Sequence, residues 1–134
     1  MEKDKAQVIM PADLPNLPEQ HEIEVAWILA RHYQQVIEFL KPVNDYMRKT
    51  ADFIMNGAVW EIKSPMGKSK RNVERQIKRA LTQSQNIIFD GRRTAIPDEV
   101  LLNRINYVAS QRTKIRKLVF IGKNKIVLEL IWKK

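Results

Sequence analysis

Apolar residues recur at spacings of three and four from His21 to Leu40, which is the periodicity of an amphipathic helix. The predicted apolar stripe consists of Ile23, Ala26, Ala30, Tyr33, Ile37 and Leu40. Pro42 follows, and because proline disfavours helical backbone in the residue before it, we expect the helix to close there. The first twenty residues are mostly polar and contain Pro11, Pro15 and Pro18. We expect residues 1–20 to form an extended linker ahead of a single domain over residues 21–134.

Two short apolar runs flank an Asn-Gly pair at positions 56 and 57. A type I′ turn needs positive φ at both central residues, and Asn-Gly adopts it readily, so we expect a β-hairpin over residues 52–63. Side chains alternate between the two faces of a strand. Glu61 and Lys63 are therefore expected on one face of the sheet, and Trp60 and Ile62 on the other.

The remaining pattern completes a mixed domain. A basic helix is predicted from about Asn72 to Gln85, followed by a short buried strand over residues 86–90. Pro97 fits the first turn of a third helix. A second hairpin is predicted over residues 118–132. The order of helix, hairpin, helix, strand, helix and hairpin predicts a mixed α/β (α+β) fold, with a central mixed β-sheet flanked by helices.

Composition and charge restrict the kinds of site and partner that the chain can have. The 134 residues suffice for one domain with its own core. Cysteine is absent, which excludes a disulfide framework, a thiolate zinc site and a cysteine nucleophile. Residues 1–40 carry a net charge of −4 and residues 41–134 a net charge of +13. This asymmetry favours a polyanionic partner, nucleic acid or a membrane surface, over charge that serves solubility alone.

The hairpin carries the residues with chemical potential. Asp52 begins its first strand, and Glu61 and Lys63 share a face of the second. Carboxylates from two paired strands can hold a hard divalent cation such as Mg²⁺. A lysine beside them can orient the attacking water and offset charge developing on a phosphate. The alternative is an ordinary solvated strand face, on which Glu-x-Lys is common.

The spacing Asp52-x8-Glu61-x-Lys63, with a turn between, resembles the core motif of the PD-(D/E)xK nuclease superfamily. Three segments are similar, more narrowly, to the C-terminal tRNA-nuclease toxin domains of contact-dependent growth inhibition systems. They lie at residues 22–30, 52–65 and 80–88. The resemblance covers about residues 20–93 and implies a restriction-endonuclease-like core. The sequence departs from the family at Ala51, where the family places a proline.

The same resemblance implies a site. Its helical glutamate has two candidates, and Glu22 borders the apolar stripe while Glu24 lies nearly opposite, so we choose Glu22. The implied ligands of Mg²⁺, with Mn²⁺ or Zn²⁺ as alternatives, are Asp52, Glu61, Glu22 and the Ile62 carbonyl. Lys63 would manage the nucleophilic water. The expected phosphate-contacting residues are Lys68, Lys70, Arg71, Arg75, Arg79, Gln83, Arg92 and Arg93.

The predicted function is therefore metal-dependent cleavage of phosphodiester bonds in RNA, with tRNA favoured over DNA. The family implies a toxin that acts in the cytoplasm, an immunity partner with an acidic surface, and origin as the delivered end of a larger secreted or mobile-element protein. We expect no signal peptide in this chain and no membrane partner. Three alternatives stay open: a DNA endonuclease of the same superfamily, a catalytically silent nucleic-acid-binding domain, and an adaptor protein of a mobile element.

Overall fold

The computed structural model describes residues 3–12, 17–41, 51–69 and 71–134. These ranges form, in chain order, β1 (Gln7–Ile9), α1 (Gln20–Tyr33), β2 (Val36–Phe39), β3 (Phe53–Met55), β4 (Ala58–Lys63), α2 (Arg71–Ala80), β5 (Asn86–Asp90), α3 (Asp98–Ser110), β6 (Lys117–Ile121) and β7 (Val127–Trp132). Within them, no helix has the length and apolar character needed to cross a membrane.

The described strands lie in one seven-stranded sheet, in which their spatial order is their order along the chain. β1 and β2 are parallel, β2, β3 and β4 form an antiparallel meander, β4, β5 and β6 are parallel, and β7 returns antiparallel to β6. The two parallel steps from β4 to β6 cross over through α2 and α3, because parallel neighbours need a long connection. The predicted mixed α/β fold with helices flanking a mixed sheet is confirmed.

The helices cover opposite faces of this sheet. On one face, Ala26 and Leu29 of α1 share a buried cluster with Phe53 and Trp60 of the hairpin. On the other face, α2 and α3 pack against the side chains that β5 and β6 present there. Every residue of β5 is buried. This is the pattern of a central strand that is covered on both sides, and it fits the continuous apolar run in the sequence.

The first hairpin forms as its sequence predicts. Asn56 and Gly57 both have positive φ, at 51° and 76°. Phe53 pairs with Trp60, and Glu61 pairs with Ile87 of the neighbouring strand β5. Trp60 belongs to the α1-side cluster, whereas Ile87 belongs to the cluster of α2 and α3. The hairpin therefore presents its charged residues on the α2 side, as the alternation requires.

The predicted helix over residues 21–40 is too long. α1 ends at Tyr33, because Gln34 adopts a left-handed conformation with φ of 52° that stops the helix. The next residues form β2, in which exposed and buried positions alternate. Ile37 is buried in both interpretations, since it continues the helical spacing and also fits the alternation of a strand. The proposed stop at Pro42 lies outside the described residues.

Two other boundaries also differ from the prediction. Part of the expected linker belongs to the sheet, because Gln7–Ile9 forms β1 and Val8 pairs with Ile37. A three-residue strand ahead of a proline-containing segment has too little pattern to be recognised alone. The basic helix predicted from 72 to 85 ends at Ala80 and continues as tight turns in which the backbone N–H of Gln83 donates to the carbonyl of Ala80.

Gly91, directly after β5, allows a close approach that a side chain would prevent. A methyl group there would lie 2.7 Å from Cε2 of Phe120 and 3.0 Å from Cδ1 of Leu101. Both neighbours are buried in the core, so we expect Gly91→Ala to lower the free energy of unfolding by about 1–3 kcal/mol. Urea denaturation monitored by tryptophan fluorescence measures this change.

Gly57→Asn is the matched control for this substitution. No atom lies within 4 Å of the Cβ it would add, and asparagine is one of the residues that adopt positive φ most readily. Its cost is therefore backbone strain at a φ of 76° without a steric clash, and we expect a smaller loss of stability than for Gly91→Ala. Equal losses of stability in the two variants would contradict the packing argument.

Candidate active site

The hairpin fixes the position of Asp52 through its own backbone. The N–H of Asp52 donates to the carbonyl of Trp60 at 2.9 Å. Its carboxylate Oδ2 accepts the backbone N–H of Ile62 at 2.7 Å. These contacts bring the carboxyl group within hydrogen-bonding reach of Glu61 on the adjacent strand. Two of the predicted carboxylates therefore meet, as the motif requires.

Glu61 is almost completely buried, with 3% of its surface exposed. Its Oε2 lies 3.1 Å from Nζ of Lys63. Its Oε1 is also buried and has no hydrogen-bond partner among the described residues. Burial of a carboxylate oxygen without a partner is costly, so this atom calls for a proton or a cation.

Lys63 connects the carboxylates to the end of α2. Its Nζ donates to Oε1 of Gln83 at 3.3 Å in addition to its ion pair with Glu61. The side chain of Lys63 is 18% exposed, so the ammonium group is largely withdrawn from solvent. The structure thus places Gln83, predicted as a phosphate-contacting residue, directly beside the predicted catalytic lysine.

The helical carboxylate beside this pair is Glu22, as the helical geometry predicts. It lies in the first turn of α1, half buried, where its Oε1 accepts the backbone N–H of Glu19 at 3.0 Å. Its carboxyl group also interacts with Asp52. Glu24 is exposed instead and forms an ion pair with Arg92 at 2.9 Å. The carboxyl groups of Glu22, Asp52 and Glu61 are therefore linked in a row.

Burial sets the protonation of this row. It raises the pKa of Glu61 to about 8, helped by the negative charge of Asp52 and opposed by Lys63. Burial likewise raises the pKa of Asp52, although the N–H of Ile62 counteracts it, and burial is the main cause that raises the pKa of Glu22. Three carboxylates in this environment repel one another when they are all ionised, so a bound positive charge would stabilise the ionised state.

The donor set suits a hard divalent cation. Carboxylate oxygens are the ligands that Mg²⁺ and Mn²⁺ prefer, and the partnerless Oε1 of Glu61 beside Asp52 offers one in the buried part of the hairpin. Glu22 is linked to this pair of carboxyl groups through its interaction with Asp52. Among the described residues, three ligand atoms come within 4.8 Å of one another at Glu19, His21 and Glu22, not at the predicted trio.

The basic residues predicted to contact phosphate fall into two groups. The first lies on α2 and the loop before it, where the described members Lys68, Arg71, Arg75 and Arg79 are exposed, as is the neighbouring Lys78. Lys70 lies outside the described residues. α2 packs its buried residues against the sheet, so these cations lie on the outer side of the helix. The turn after the helix brings Gln83 to Lys63. We name these five residues the α2 basic face.

The second group, Arg92 and Arg93, is already engaged. The side chain of Arg92 is 11% exposed and forms ion pairs with Asp90 and Glu24. Arg93 contacts the ring nitrogens of His21 and donates to Sδ of Met66 at 3.0 Å. The contacts of Arg92 with α1 join residues far apart in sequence, so local patterns could not reveal them. The one local signal was an aspartate at the end of the buried strand β5.

Comparison with known proteins places this geometry in context. No curated protein matches the chain. A chain in the solved structure described as the CdiA-CT/CdiI toxin and immunity complex from Burkholderia pseudomallei has a similar fold, with a TM-score of 0.61 and 15% sequence identity. The match covers 93% of this chain and 98% of that chain. At this level of identity the likeness concerns the fold.

The family comparison extends to the sequence. The model of the contact-dependent growth inhibition CdiA C-terminal domain matches residues 49–127, which is more than half of the chain. This range contains the hairpin with Asp52, Glu61 and Lys63, and the α2 basic face. The chain therefore belongs to the CdiA C-terminal domain family of contact-dependent growth inhibition.

Proposed function

We propose that this domain is a toxin effector and a metal-dependent endonuclease of PD-(D/E)xK type that cleaves RNA, with tRNA as the preferred substrate. The observation that carries the proposal is the row of side chains from Glu22 through Asp52 and Glu61 to Lys63, with a buried carboxylate oxygen that has no hydrogen-bond partner among the described residues. Burying such a group costs stability, and buried groups of this kind are concentrated at functional sites.

Each residue of this row would have its own role in hydrolysis. Asp52 and Glu61 would hold the divalent cation, with Glu22 and the Ile62 carbonyl as further ligands implied by the superfamily. A bound cation would lower the pKa of water and neutralise charge on the phosphate. Lys63, held between Glu61 and Gln83, would orient the attacking water and offset the negative charge that develops on the phosphate.

The α2 basic face supports a nucleic-acid substrate. Its exposed cations lie on the helix whose following turn reaches Lys63, and they would contact backbone phosphates, which gives affinity without sequence preference. Such contacts do not choose between RNA and DNA. The preference for tRNA follows from the similarity of residues 22–30, 52–65 and 80–88 to the tRNA-nuclease toxin domains.

The partner proposal rests on charge and on the structural neighbour. Residues 41–134 carry a net charge of +13, which favours a partner with an acidic surface. The neighbour of similar fold is described as part of a toxin and immunity complex. We propose that an acidic immunity protein neutralises this domain, and that the domain is the delivered end of a larger protein and acts in the cytoplasm of the recipient cell.

We expect the purified domain to cleave total tRNA with Mg²⁺ or Mn²⁺ and not with EDTA. Glu61→Gln should reduce the rate by roughly 100-fold or more, the scale seen when a group acting on the reacting atoms is removed. Glu99→Gln, at an exposed position of α3, is the matched control and should keep full activity. Gel analysis of labelled tRNA measures both rates.

Plasmid and single-stranded DNA belong in the same assay. Cleavage of DNA alone would reject the tRNA assignment and keep the nuclease. Binding of both nucleic acids without cleavage under any metal would reject the nuclease in favour of a binding domain. Equal activity of Glu61→Gln and the unmodified chain would show that the reaction does not use this site.

The raised pKa of Glu61, about 8, predicts how pH affects the metal-free domain. The folded state keeps a proton on Glu61 that the unfolded chain releases near its ordinary value of 4.5. Stability therefore falls as pH rises from about 5 to about 8. Glu61→Gln removes this contribution, so its stability should change less over the same range. Urea denaturation in EDTA at several pH values measures the difference.

The cation should reverse this trend, because it replaces the proton. We expect Mn²⁺ to raise the melting temperature by several degrees at pH 8 and by less at pH 5.5, since binding to the folded state alone adds stability. The increase should be absent in Glu61→Gln. A shift of the same size at both pH values, or in the variant, would place the cation elsewhere.

A further inference from the structure

One side chain contacts α1 on both sides of Glu22. Nη1 of Arg92 donates to Oε2 of Glu24 at 2.9 Å. Nη2 of the same guanidinium donates to the backbone carbonyl of His21 at 3.1 Å. The residue before Glu22 and the residue two positions after it are therefore both bound to Arg92, which belongs to the loop that follows β5.

This guanidinium is anchored on a carboxylate with no exposure to solvent. Asp90, the last residue of β5, is 0% exposed. Its Oδ1 accepts Nε of Arg92 at 2.8 Å, and its Oδ2 accepts Nη2 at 3.0 Å. The backbone N–H of Arg92 adds a bond to Oδ1 at 3.1 Å. A two-pronged pair of this kind fixes both the position and the plane of the guanidinium.

Asp90 also forms a hydrogen bond to the end of β4, the strand that contains Glu61 and Lys63. Ser64, directly after Lys63 at the end of β4, donates its hydroxyl to Oδ2 of Asp90 at 2.8 Å. The contacts of Asp90 and Arg92 thus join the end of β4, the end of β5 and the first turns of α1. Glu22 comes from α1, whereas Asp52, Glu61 and Lys63 come from the hairpin. Within the described residues, this network connects those two sources, alongside the contacts of Arg93 with His21 and Met66.

We propose that Arg92 is a positioning residue, which holds the first turns of α1 against the end of β5 and thereby fixes Glu22 beside Asp52. The proposal rests on the proposed function, in which Glu22 contributes to the metal-binding carboxylates. It replaces the expectation that Arg92 contacts phosphate, because four N–H groups of its guanidinium already donate to protein oxygens. Lysine has no planar fork and cannot reproduce these contacts.

Arg92→Lys tests the positioning directly, with Arg116→Lys at an exposed position as the matched control. We expect Arg92→Lys to speed amide hydrogen exchange in peptides covering residues 20–26, as measured by mass spectrometry. We also expect the affinity for Mn²⁺, measured by calorimetry, to fall about 10-fold or more, the scale for residues that support a metal ligand. The control should change neither quantity.

Cleavage kinetics separate positioning from phosphate contact. A positioning residue lowers kcat for tRNA about 10-fold and leaves KM nearly unchanged, whereas a phosphate contact raises KM and reduces the salt dependence of binding. In a Glu22→Gln background, Arg92→Lys should cause no further loss of kcat, because the arginine acts only through Glu22. A raised KM, or losses that multiply in the double variant, would overturn the proposal.

Glu24→Gln provides a second test of the positioning role if Arg92→Lys fails to fold. It weakens only the exposed end of the network and leaves the buried pair with Asp90 intact. It should speed exchange at residues 20–26 and lower kcat in the same direction, by a smaller factor. If the unmodified domain neither cleaves RNA nor binds Mn²⁺, the proposed function fails. The exchange experiment still decides, because unchanged exchange in both variants overturns the positioning role by itself.

Discussion

The site depends on one unfavourable arrangement, the burial of two carboxyl groups side by side on neighbouring strands. Asp52 and Glu61 repel each other when ionised, and water cannot screen them because Glu61 is 3% exposed. One N–H group holds Asp52, and Lys63 holds one oxygen of Glu61, while the other oxygen has no partner in the described part of the chain. A bound positive charge would therefore stabilise the hairpin with both carboxyl groups ionised.

The rest of the fold holds the two carboxyl groups in this unfavourable arrangement. Strand alternation places Trp60 and Ile62 in the core on the α1 side while Glu61 and Lys63 face α2. A register slip of one residue would place both charges among α1 side chains and move the tryptophan to the α2 side, so the hydrophobic core and the site enforce the same register. The Asn-Gly turn fixes that register locally.

Local features of the site were therefore predictable from the sequence, and distant ones were not. The Asn-Gly turn and the alternation in β4 are signals within a few residues, and the position of Glu22 follows from helical geometry. The end of α1 was missed because Ile37 fits a helix and a strand equally well. The network around Arg92 was missed because it joins residues separated by 68 positions, and only the packing of α1 on the sheet brings them together.

Family membership and the site geometry bear on different parts of the chain. The matched residues 49–127 contain the hairpin, the α2 basic face and Arg92, but not α1. Glu22 therefore lies outside the matched region, and its place beside Asp52 depends on tertiary contacts of this chain. The capping bond to Glu19 orients its side chain, and Arg92 binds the backbone carbonyl of His21 on one side and the side chain of Glu24 on the other. A residue of the matched region thus contacts both flanks of a carboxylate that the region does not itself contain.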